Sequence, residues 1–223
     1  MNWQAAFAQV FDDKDWLKKL LFGGILTLIP IVNIIPIGYA LKVLRNVAEG
    51  NEQPFPTWDD LGDYFVRGLT SLIGVLIWSL PIMAVGMLTG ILSMWSGYDY
   101  TDASRTSMPL AVCLWSLTCV SGLYSLFLAV FLPAAVTWYA VKGQLGAMFR
   151  VGEIFRFISR NLGVYVVTLF LSVAAAFVAQ IGLVLCCIGV VLTEFWATLV
   201  ASHLFGQIYR LPMTKAPSEA PVS

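Results

Sequence analysis

Three stretches contain no Asp, Glu, Lys or Arg: Gly68 to Tyr98, Thr106 to Val141 and Asn161 to Thr193. Each exceeds the roughly 20 residues that an α-helix needs to cross a bilayer core of about 30 Å. Across 223 residues, 59% are hydrophobic and only 12% charged, where soluble domains carry about 25% charged residues. A water-soluble fold is excluded. The expected fold class is all-α, a polytopic helical membrane bundle whose first partner is the lipid bilayer. With 13 basic and 13 acidic residues the net charge is zero, so no field of one sign exists to attract nucleic acid.

The runs set the organisation. Residues 68–92 and 109–141 flank the polar stretch WSGYDYTDASRTSM and form one helical hairpin, 68–141. Residues 161–209 are too long for one span and form a second hairpin, with the break near Cys186-Cys187-Ile188-Gly189. In the segment 20–44, Pro30 and Pro36 bracket Asn33, and proline both removes a backbone donor and disfavours helix at the residue before it. The positive-inside rule separates the two options. If 20–44 turns back as a re-entrant hairpin, 12 of the 13 basic residues fall on the cytoplasmic side, Arg105 alone lying outside. If it crosses, giving five transmembrane helices, Lys14, Lys18 and Lys19 move outside. The re-entrant arrangement is expected, giving four full transmembrane helices plus one hairpin, with the other helices packed around Asn33 to cover its backbone.

The chain then reads as a single membrane domain over 1–215. Its parts are an interfacial helix (1–19), the re-entrant hairpin (20–44), a cytoplasmic loop (45–67), the hairpins 68–141 and 161–209 with a cytoplasmic amphipathic segment (142–160) between them, and a disordered tail (216–223). Residues 1–15 carry acid where a secretory signal needs base, so the N-terminus is expected to be retained and cytoplasmic, like the C-terminus. Trp3, Phe7, Val10 and Phe11 recur at helical spacing and suit a helix lying on the membrane. A weak threefold repeat accompanies this layout. Asp15-Trp16-Leu17-Lys18-Lys19, Asp63-Tyr64-Phe65-Val66-Arg67 and Glu153-Ile154-Phe155-Arg156 each precede a hairpin, with acid and base three or four apart on a helix surface.

Candidate chemistry is sparse. Cys113, Cys119, Cys186, Cys187 and His203 lack metal-site spacing, although Cys113 could pair with Cys186 or Cys187 in an oxidising compartment. No Walker loop, GxGxxG, GxSxG or HExxH occurs, so neither an enzyme nor a cofactor is expected. Glu194, the one charge inside an apolar run, is a candidate by its cost alone; about one turn inside the outer boundary, it can snorkel or pair with Thr193 or another helix's hydroxyl. Asn33 and Gln180 are further intramembrane polar groups. His203 and Gln207, four apart, stack on one face of the last helix. Gly86/Gly90, Ala175/Ala179, Ala197/Ala201 and Ser202/Gly206 are small-xxx-small pairs, suited to bundle packing or to a homo-oligomer. The stretch GNEQPFPTWDDLGDYF (50–65) presents Trp58, Asp59 and Asp63 in a proline-constrained segment fit for docking a membrane-protein partner, and Asp59, Asp60 and Asp63 could hold a divalent cation.

Taken in order, several of these motifs resemble one family. They are Asp13-Lys14-Asp15-Trp16-Leu17-Lys18-Lys19, Gly23-Gly24, Ile29-Pro30-Ile31, Gly38-Tyr39-Ala40-Leu41, Arg45-Asn46 and Pro54-Phe55-Pro56-Thr57-Trp58-Asp59-Asp60. They look like the N-terminal signature of the prokaryotic membrane family known as domain of unknown function 4013. Cys187-Ile188-Gly189, and the run from Ala201 to Tyr209, are similar to its ending. The resemblance spans about residues 9–210 and implies a bacterial or archaeal cytoplasmic membrane without implying an activity. Tyr39 and Trp58, which stand within these motifs, are among the candidate polar or interaction residues. Glu194 stands where the family pattern has an apolar residue or proline.

Two function classes follow. One is a non-enzymatic scaffold or accessory subunit binding membrane proteins or lipid. The other is a small transporter or channel with a polar site at Asn33, Gln180 or Glu194.

Overall fold

The computed structural model describes residues 3–96, 108–182 and 187–214. The helices are α1 (Trp3–Asp12), α2 (Trp16–Leu28), α3 (Ile34–Glu49), α4 (Leu61–Ser96), α5 (Met108–Lys142), α6 (Val151–Arg160), α7 (Leu162–Ile181) and α8 (Cys187–Thr214), with a short 3-10 turn at Leu145–Phe149. Among the described residues there is no strand. Helices α4, α5 and α7, together with Gly189–Leu211 of α8, are each long and apolar enough to cross a membrane. The chain is an all-helical, multi-pass integral membrane protein.

The segment 20–44 is broken into α2 and α3, of 13 and 16 residues. Pro30 makes the break. Ile31 takes a left-handed backbone (φ 73°), costly for a β-branched residue, and the Asn33 N–H reaches back to the Ile29 carbonyl at 3.0 Å. Pro36, by contrast, sits in the first turn of α3, where a missing N–H costs nothing because that turn has no intrahelical acceptor. One proline stops a helix and the other starts one. The packing expected around Asn33 is not what forms: Asn33 is exposed at the turn, and Ile31 is 72% exposed. The hairpin instead buries its flanks. The hydrogen on Gly24 faces Leu192 and that on Gly23 faces Phe195, and α3 lies along α8 with Gly206 close to the Leu44 carbonyl.

The packing divides into two compact units, Met1–Leu72 with Pro133–Ser223, and Ile73–Leu132. In the first, α8 is the central element, contacted by α1, α2, α3 and α7. The apolar face of α1 meets protein: Ala6 is fully buried with Ala175, Ala179 and Ala197, whose small side chains let the helices approach. In the second, Trp78 and Phe131 pack 4.9 Å apart, and the Tyr124 hydroxyl donates to the Trp78 carbonyl at 2.7 Å.

Helix α7 ends at Ile181, and α8 is already helical at Cys187, so the break lies earlier than the expected Cys186–Gly189. A pairing of Cys113 would involve Cys186 or the Cys187 side chain, and the disordered tail is expected at 216–223. Both lie outside the described residues, as does the polar stretch 97–107.

Candidate functional site

The sequence Pro54-Phe55-Pro56-Thr57 contains two residues with no N–H, so its carbonyls outnumber its own donors. Four side chains answer them in register. Asn46 Nδ2 donates to the Pro54 carbonyl at 2.9 Å, Lys19 Nζ to Phe55 at 3.0 Å, the Tyr39 hydroxyl to Pro56 at 2.9 Å and the Tyr64 hydroxyl to Thr57 at 2.7 Å. Three helices thereby hold one extended strip of loop. Each such bond is worth about 1 kcal/mol net, and leaving a buried carbonyl unpaired costs about 1–3.

Beneath the strip lies an aromatic cluster. Tyr39 and Trp58 stack at 4.1 Å with 14° between planes, and Tyr64, Phe22 and Phe195 pack against them edge-on or tilted. Beside it, Lys19 pairs with Asp13 at 2.6 Å, both side chains mostly buried. Partial burial works to raise the Asp13 carboxyl, but the Lys19 hydrogen bond, the Asp15 N–H and the Lys19 charge together hold it below the ordinary carboxylate range. A cleft of about 10 Å³ lined by Val10, Trp16, Leu20, Tyr39, Phe55 and Leu199 adjoins this pair, room for about one water.

The structure thus joins Tyr39 to Trp58 and leaves the remaining candidates elsewhere. Asp59 is exposed, and Asp63 pairs with Arg67 one turn on, at 2.6 Å. Among the described residues no group of three His, Cys, Asp or Glu is placed to hold a metal ion, so the Asp59, Asp60 and Asp63 cation site does not assemble. Gln180 donates its side-chain amide to Glu194 across α7 and α8. The partner is thus an amide rather than the Thr193 hydroxyl, which is bonded to the Ala179 carbonyl at 2.7 Å. His203 is 4% exposed, and its Nδ1 has no partner among the described residues. Gln207 is half-buried one turn further. Asn33, at the exposed turn, joins neither group.

Of the small-residue pairs, Ala175/Ala179, Ala197 and Ser202/Gly206 are buried within the chain, while a Cβ added at Gly86 or Gly90 would meet nothing within 4 Å. Lys19, Asn46 and Tyr64 were not singled out as site residues from sequence. The signal for them was the proline pair, which announces carbonyls in need of donors.

The family model described as "Protein of unknown function (DUF4013)" matches residues 22–188. The chain belongs to this family. The matched span takes in the second half of α2, all of α3, the 54–57 strip and the Tyr39–Trp58 stack, and ends at the start of α8. It is narrower than the 9–210 over which motifs resemble the family. No curated protein and no solved structure matches the chain.

Proposed function

We propose that this DUF4013 member is a non-enzymatic scaffold or accessory subunit of a prokaryotic cytoplasmic membrane. Its α2–α3 segment is a re-entrant hairpin, both termini are cytoplasmic, and the 50–60 loop docks a membrane-protein partner. The observation that carries this reading is the destination of the polar side chains. Asn46, Lys19, Tyr39 and Tyr64 end on backbone carbonyls of one loop. They fix the shape of a surface segment whose Asn51, Glu52, Gln53, Thr57, Asp59 and Asp60 stay exposed. A pre-shaped loop loses little conformational entropy on binding.

The test is purification of the full chain from native membranes in mild detergent. A stoichiometric membrane-protein partner that is lost in the Asp59→Lys/Asp60→Lys variant, with thermal stability retained, is the expected result. Isolation as a lone monomer that carries solute flux in liposomes would overturn the reading in favour of a transporter.

A further inference from the structure

Helix α6 sits where three candidate spans end. Its buried face is Ile154, Phe157 and Ile158. Phe157 packs 5.1 Å from Trp138 near the end of α5, 6.4 Å from Tyr165 at the start of α7 and 6.1 Å from Tyr209 near the end of α8. Tyr165 in turn meets Phe205 at 5.9 Å. The ends of apolar spans lie at the membrane–water boundary, and Trp and Tyr collect there. The contacts therefore put α6 at that boundary, held against the bundle by one stripe only.

The rest of its circumference is divided by chemistry. At 100° per residue, Val151 and Phe155 continue the apolar arc, and they are 39% and 50% exposed. Arg156, Ser159 and Arg160 occupy the opposite arc and are exposed. The only acid of the helix, Glu153, accepts from the Trp138 indole at 3.1 Å and pairs with Arg150 at 3.3 Å, which leaves Arg156 and Arg160 in excess over it. Lys142, exposed at the end of α5, adds a further positive charge nearby. A chain of zero net charge thus concentrates base beside exposed apolar side chains on one short helix. That is the arrangement of an interfacial helix, with its apolar arc at the acyl boundary and its arginines at the level of the headgroups.

We propose that the outer face of α6 is a binding site for anionic phospholipid headgroups, with Arg156 and Arg160, aided by Lys142, holding the phosphate and Val151 and Phe155 seated in the acyl boundary. This requires only the membrane placement of the chain and stands apart from any protein partner at the 50–60 loop. Arginine suits the task because its fork meets phosphate oxygens bidentately.

The experiment is native mass spectrometry of the full chain in mild detergent, offered equal amounts of phosphatidylglycerol and phosphatidylcholine. The wild type is expected to retain phosphatidylglycerol in preference, and the preference is expected to fall as salt is raised. Arg156→Gln/Arg160→Gln is expected to reduce it about fivefold or more with the unfolding temperature unchanged. Lys14→Gln/Lys18→Gln, which removes two exposed cations elsewhere, is expected to leave it intact. Absence of a preference in the wild type, its persistence in the arginine variant, or an equal loss in the lysine variant would each overturn the proposal. Should the glutamine variant unfold, Arg156→Lys/Arg160→Lys with the same salt series decides, since charge alone then predicts a partial preference that salt abolishes. A partner lost with Asp59→Lys/Asp60→Lys bears on the docking loop and leaves this measurement unmoved.

Discussion

Gly38 on α3 and Gly68 on α4 face each other's helix reciprocally: a Cβ on Gly38 would run into the Tyr64 carbonyl, and one on Gly68 into the Ile34 carbonyl. Two helix backbones touch there with no side chain between them. Gly38→Ala and Gly68→Ala are each expected to destabilise the protein by about 1–3 kcal/mol, because the helices must separate and everything packed on α3 moves with them. Gly86→Ala and Gly90→Ala, with open space around the added carbon, are expected to be neutral or to stabilise by up to about 1 kcal/mol through helix propensity. Thermal unfolding in detergent measures both pairs. Equal effects at the two pairs would contradict the close approach.

Tyr39→Phe keeps the stack on Trp58 and removes only the hydroxyl that reaches the Pro56 carbonyl. The expected loss is about 0.5–1.5 kcal/mol, the net worth of one hydrogen bond to a part-buried carbonyl. Tyr64→Phe is expected to behave alike at the Thr57 carbonyl. The double variant is expected to lose more than the sum, since the two bonds hold adjacent residues of one strip. Chemical denaturation of the three variants in the same detergent checks this.

The Asp13–Lys19 pair gives the corner between α1 and α2 a pH dependence of definite sign. The Asp13 carboxyl is held below its ordinary value of 3.8 in the folded protein. Its contribution is therefore present above about pH 4 and is lost as the pH falls through the lower folded value. Asp13→Asn is expected to cost about 1.5–3 kcal/mol at neutral pH. The gap to wild type is expected to close on acidification below about pH 4, as read by unfolding temperature against pH.

The re-entrant reading of α2–α3 predicts that residue 14 and residue 100 lie on opposite sides of the membrane. With the native cysteines removed, Lys14→Cys and Tyr100→Cys are expected to react with a membrane-impermeant maleimide from opposite faces of oriented vesicles. Labelling from the same face would show that the segment 20–44 crosses.

Local properties were legible in the sequence. The absence of charge over 68–98, 106–141 and 161–193 announces bilayer spans because transfer free energy is nearly additive along a helix. That the segment 20–44 must break is likewise written in the missing N–H groups of its prolines. The sequence could not show which proline would break: Pro30 and Pro36 have the same chemistry, and only the position of the α3 start separates them. Nor could it show which small residues would be used, since Gly38 and Gly86 look alike until a second backbone is brought to one of them. The docking of α1 on Ala175 and Ala179, the pairing of Glu194 with Gln180 rather than a hydroxyl, and the convergence of Asn46, Lys19, Tyr39 and Tyr64 on four successive carbonyls all link separate elements. Lys19 and Phe55 are 36 residues apart, and the Tyr139 hydroxyl reaches the Arg67 carbonyl across 72. Such pairings depend on how helices cross, a property of the assembled bundle that no single stretch of chain contains. The sequence by itself determined that this protein lives in a membrane as helices. The tertiary structure decided that Asn46, Lys19, Tyr39 and Tyr64 meet on one loop, because only the packing of α2, α3 and α4 brings four separated donors to successive carbonyls of a strip whose two prolines leave it short of N–H groups.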